Sequence, residues 1–246
     1  MERKTNKMGE TVICNGNVRA VIRQDMYCSF SPRADQENLG TMICWHRRYD
    51  LGDPHEHYDS EDFMRKLWLE HATVQEQQKV VDSFFAGEGT GRDHEEMVER
   101  AAREGHTPES QPRAIFEMVL DLVDVREFGF PGEIIALPLY LYDHGGITMS
   151  TSAFGCAWDS GQVGWIHCTK GRAREWFGSD DEARILRALK GEVEEYDQYL
   201  RGYVFEVVVY KGACGCDQCD EVIDICSGFL GEESAIEHAE QMIQGV

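Results

Sequence analysis

The chain has 246 residues, 42% of them hydrophobic, and a formal net charge of −21 from 45 acidic and 24 basic side chains. This length and apolar content support one large folded domain or two small ones, and there is no run of about 18 apolar residues to serve as a membrane-spanning helix. Phosphate contacts need Lys and Arg, so direct nucleic-acid binding is not expected of so acidic a chain.

The N-terminal "MERKTNKMGETVIC", in which Met1 or Met8 is the start, is charged and has no signal-peptide apolar core. A cytoplasmic protein without membrane partners is therefore expected. "VRAVIRQDM" (18–26) alternates apolar and polar residues and predicts a strand, as does "TMICWHR" (41–47), with a Pro/Asp/Asn/Gly loop between them. Ser60, followed by Glu61 and Asp62, reads as a helix N-cap, and helices are predicted at about 61–71, 74–86, 92–104 and 110–124. The last carries Ile115, Phe116, Val119, Leu120 and Val123 at core spacing, whereas 92–104 is mostly charged.

From Glu133 the pattern returns to strands, "EIIALPLYLYD", "ITMSTSA" and "VGWIHCT", with Pro138 suggesting an edge or bulge in the first. Helices at 171–177 and 181–201 follow, then the strand pair 203–210 and 221–229 and a final helix at 232–243. Strand runs separated by helical blocks, without regular βαβ alternation, predict an α+β fold with a mostly antiparallel sheet and flanking helices. The expected organisation is a core domain from 1–60 and 129–246, with 61–128 as a helical insertion or lid; a single domain including that block is the alternative.

Reactive side chains concentrate in "LYDHGGITMSTSAFGCAWDSGQVGW" (141–165). Asp143, His144, Cys156 and Asp159 are the residue types of a Cys/His hydrolase, in which an imidazole deprotonates a thiol and a carboxylate orients the imidazole. The same glycines and hydroxyls also suit a pair of tight turns, and that reading is favoured. "CGCDQCDEVIDIC" spaces Cys214, Cys216, Cys219 and Cys226 so that they supply four thiolates to a structural zinc or stay free thiols in a turn. Asp53, His55, His57 and Asp59 alternate in "GDPHEHYD" as metal ligands would, but a solvated loop accounts for them as well. Trp45, Arg47 and Arg48, in the only basic part of the chain, together with Gln162, form a candidate set for a small anionic ligand. No phosphate-binding glycine loop, HExxH, GxSxG or dinucleotide fingerprint is present.

"ENLGTMICWHRRYDLGD" (37–53), "LPLYLYDHGGITMSTSAFGCAWDSGQVGWI" (137–166) and "YDQYLRGYVFEVVV" with "EVIDICSGFLG" together resemble a family of uncharacterised bacteriophage and mobile-element proteins. The helical block 61–128 and the cysteines at 214–219 fall outside that pattern. The resemblance implies an accessory protein acting in the host-cell cytoplasm, and it carries over no catalytic residue.

Charge directs the leading functional expectation. Residues 1–49 hold eight basic and five acidic side chains, whereas after Lys211 there is no Lys or Arg and eight acids accumulate. An acidic protein-binding factor, directed at a host or phage nucleic-acid-processing protein, is therefore expected. The hydrolase and the small-anion-binding protein are the alternatives.

Overall fold

The computed structural model describes residues 1–28, 30–86, 112–212 and 220–244, with positions 96, 99, 100, 103 and 105. The fold is α+β, with nine strands in two antiparallel sheets among the described residues. The first sheet has the order β1 (Glu2–Thr5), β2 (Thr11–Asn15), β3 (Val18–Gln24), β8 (Val204–Lys211), β9 (Glu221–Leu230). The second has the order β4 (Thr41–Cys44), β7 (Ser160–Thr169), β5 (Ile134–Asp143), β6 (Ile147–Ser150). The helices are α1 (Ser60–His71), α2 (Val74–Ala86), α3 (Pro112–Leu120), α4 (Lys170–Phe177), α5 (Glu182–Leu200) and α6 (Glu232–Gln244), with a 3-10 turn at Val125–Phe128. Among the described residues no helix is long and apolar enough to cross a membrane. The predicted helix 92–104 falls almost wholly outside the described residues.

The chain divides into two compact units. One comprises Met1–Asn38, Leu139–Gln162 and Lys190–Val246; the other comprises Leu39–Pro138 and Val163–Leu189, and so contains the stretch 61–128.

In the first unit, α6 covers one face of the five-stranded sheet. Strand periodicity sends Ile13, Val18, Ala20, Ile22, Val207 and Val209 to that face, where they meet Ala235, Ile236, Ala239 and Ile243 of the helix. The alternate residues Val12, Val21, Val208 and Tyr210 form a smaller cluster on the opposite face. There Arg19 lies 4.2 Å over the Tyr210 ring and 3.2 Å from Asp220, a pair whose side chains are 12% and 2% exposed.

In the second unit, the apolar stripes of three helices meet. Phe63, Met64, Leu67 and Trp68 of α1 pack with Val80 and Val81 of α2 and with Ile115, Phe116, Met118, Val119 and Leu120 of α3. Val123 lies beyond the end of α3 and packs only partly buried against this cluster. The N-cap of α1 is Asp59, whose carboxylate accepts from the Asp62 N–H. The neighbouring Ser60 hydroxyl accepts instead from Trp165 Nε1, at 3.0 Å. Thr73 and Glu76 form a capping box at the start of α2, each side chain accepting from the other's backbone N–H.

Candidate functional site

The central block folds as two turns. His144 N–H bonds the Gly146 carbonyl to close the β5–β6 hairpin, with Gly145 at φ 72°, and the Asp143 N–H bonds the Asp159 carbonyl. Three of the four reactive side chains meet there. His144 Nδ1 lies 3.2 Å from Asp159 Oδ2, and the Cys156 thiol donates to the same carboxylate oxygen at 3.7 Å. Asp159 thus stands between thiol and imidazole, whereas thiol activation by a histidine needs those two groups in contact. His144 is 69% exposed and stacks on Tyr142, so no enclosed site surrounds it. Trp158, at 96% exposure, projects from the second turn.

The candidate anion-binding residues divide between units: Gln162 belongs to the first, and Trp45, Arg47 and Arg48 to the second. In the second unit the chain leaves β4 at Cys44, makes an excursion through residues 45–51, and returns at Gly52, which bridges Ile43. Asp53 locks this return: its backbone N–H donates to the Met42 carbonyl at 2.7 Å, and its carboxylate accepts from the Met42 N–H at 2.8 Å. Gly52 sits at φ 73° with the Met42 carbonyl where a Cβ would project, so both conformation and space require glycine. The excursion frames a cleft of about 790 Å³ lined by residues that include Trp45, His46, Arg47, Tyr49, Asp50 and His55.

The loop histidines and acids considered as metal ligands are engaged in other roles. Asp53 holds the loop return and Asp59 caps α1, while the His55 Nε2–H donates to the Cys44 carbonyl at 2.8 Å. His57 lies edge-on to Phe63 at 5.2 Å, and His167 meets the same ring at 5.1 Å. The Nδ1 atoms of His55, His57 and His167 are buried without a hydrogen-bond partner among the described residues; His57 Nδ1 lies 3.7 Å from Asp62, an ionic rather than a hydrogen-bonded separation. Burial, reinforced by neighbouring His71 and His57, lowers the His167 pKa to about 4. Burial and nearby Lys66 lower that of His57.

Among the described residues no three His, Cys, Asp or Glu side chains are placed to hold a metal ion. Cys214, Cys216 and Cys219 lie outside the described residues; Cys226 is a half-buried free thiol on β9, opposite Val207.

Strand β9 ends the five-stranded sheet, and most of it is exposed. Val222, Ile223 and Ile225 are 46%, 37% and 57% accessible, interspersed with the exposed acids Glu221 and Asp224. Register shifts against β8 fall between Val209 and Tyr210 and between Phe205 and Val207. Comparisons with protein-family models, curated proteins and solved structures returned no match. The geometry therefore carries the functional argument unaided.

The sequence does not mark this strand as a functional edge, because "EVIDIC" reads only as a late strand and its place at the end of the sheet depends on β8 pairing with β3. The run of eight acids without a base after Lys211 was its available signal.

Proposed function

We propose that this chain is an accessory protein of a bacteriophage or mobile element that binds a basic protein segment along the exposed edge of β9. The observation that carries the reading is the edge itself: exposed Val222, Ile223 and Ile225 interspersed with Glu221 and Asp224 at the end of an antiparallel sheet. An edge strand offers unpaired backbone donors and acceptors to an incoming extended segment, and alternate side chains supply specificity. Acidic residues at this edge disfavour pairing with a second copy, which would bring like charges together, and favour Lys or Arg in the partner strand. A chain with no Lys or Arg after Lys211 extends that preference beyond the edge. Host or phage nucleic-acid-processing proteins carry such basic segments for their own phosphate contacts, which makes them the natural partner class.

The test measures fluorescence anisotropy of a labelled peptide of alternating lysine and valine, alongside a counterpart with glutamate for lysine and another interrupted by proline. Binding is expected for the lysine peptide alone, weakening steeply as salt rises and lost in Asp224→Lys and Ile225→Lys. Equal binding of the glutamate or proline peptide, salt-insensitive binding, unchanged binding by both variants, or self-association without peptide binding would each overturn the proposal.

The hydrolase alternative draws support from the convergence of Cys156, Asp159 and His144, but Asp159 holds the position that the base must occupy.

A further inference from the structure

We infer that the cleft at the end of β4 is a binding site for a mononucleotide-like ligand, a planar aromatic ring carrying a phosphate. The site lies wholly in the second unit and is independent of the β9 edge. Its framework is built: the Gly52–Ile43 bridge and both Asp53 bonds to Met42 fix the two ends of the 45–51 excursion. Trp45 is fixed in turn, its indole N–H donating to the His57 carbonyl at 3.0 Å and its ring lying 5.3 Å from His55.

Three kinds of recognition converge on this framework. His46 and Tyr49 stack face to face, 4.9 Å between centroids and 3° from parallel, and a planar ring extends such a stack without distorting it. Arg47 is exposed in the lining and has no ion pair among the described residues, although the chain carries 45 acidic side chains. A guanidinium left unpaired in so acidic a protein is available for a phosphate, which it grips in bidentate fashion. Asp50, also exposed and without a hydrogen-bond or ion-pair partner among the described residues, supplies an acceptor suited to sugar hydroxyls. A cleft of about 790 Å³ falls within the range of about 300–1,000 Å³ typical of small-ligand sites. Because side chains do the recognising, the absence of a glycine-rich phosphate loop is no obstacle.

Titration calorimetry on the full chain tests this with AMP and GMP as probes, and with adenosine and inorganic phosphate as separate arms. Either mononucleotide is expected to bind more tightly than adenosine and phosphate. Arg47→Gln should weaken mononucleotide binding roughly ten- to hundred-fold, the worth of a charge-assisted hydrogen bond, and leave adenosine binding unchanged. His46→Ala, removing half of the stack, should weaken mononucleotide and adenosine together. The inference is overturned if neither mononucleotide binds at millimolar concentration, if adenosine or phosphate alone matches them, or if Arg47→Gln binds like the parent while both proteins unfold at the same temperature.

Discussion

Acidification from about pH 7.5 to about pH 4.5 should destabilise the protein through His167, and the loss can be isolated by comparison with His167→Gln. In the fold this imidazole is neutral, its pKa lowered from 6.5 to about 4, chiefly by burial beside Phe63 and further by the repulsion of His71 and His57. In the unfolded chain it protonates at its ordinary value. Between the two pKa values the unfolded state binds the extra proton, so stability is complete above pH 6.5 and falls as the pH drops toward about 4. The full difference corresponds to about 3 kcal/mol, of which about 2 kcal/mol is lost by pH about 5. Urea unfolding followed by tryptophan fluorescence at half-unit pH steps measures this directly, because carboxylates titrate in both proteins and cancel in the difference. The glutamine amide replaces the imidazole's hydrogen bond with the Thr41 backbone and does not titrate. Parallel stability profiles for parent and variant across this window would refute the reasoning.

Two packing features give further checks. Gly164→Ala should cost about 3 kcal/mol or more, because the new Cβ would strike the Ile43 carbonyl across the β4–β7 pair; Gly161→Ala on the same strand, where a Cβ meets nothing within 4 Å, should be tolerated, and thermal melts of both decide it. Asp220→Ala should cost about 1.5–3 kcal/mol by removing the charge-assisted hydrogen bond from Arg19 beside Tyr210; a chemical-denaturation shift of less than about 1 kcal/mol would refute that contribution.

Much of this fold was legible from pattern because its elements are one-sided. The stripe of Ile115, Phe116, Val119 and Leu120 marks α3, and the alternation in "VRAVIR" marks β3. Strand β1, "ERKT", gave no such signal: all four residues are exposed, and only backbone pairing to β2 makes it a strand. Strand β2, "TVICN", is short and apolar on consecutive positions because it is covered on both faces, which erases the period of two. At the start of α1 the cap is Asp59 rather than the expected Ser60, whose hydroxyl instead accepts from Trp165, 105 positions away. The candidate sites were less legible for the same reason. Cys156 and His144 reach the same Asp159 oxygen only because two turns close together, an arrangement that has no spacing in the sequence. His167 occupies an ordinary alternate position in "VGWIHCT", and its aromatic environment comes from Phe63 on a distant helix.

The two compact units interrupt one another along the chain, which changes hands after Asn38, Pro138, Gln162 and Leu189. Neither unit is therefore encoded by one uninterrupted stretch of gene. A truncation at any single point removes pieces of at least one unit. Recombination at a single point therefore transfers neither unit intact on its own. The β9 edge and the 45–55 cleft, lying on different units, are thus inherited together, and a hybrid that keeps one while replacing the other requires exchange at several of these crossings at once.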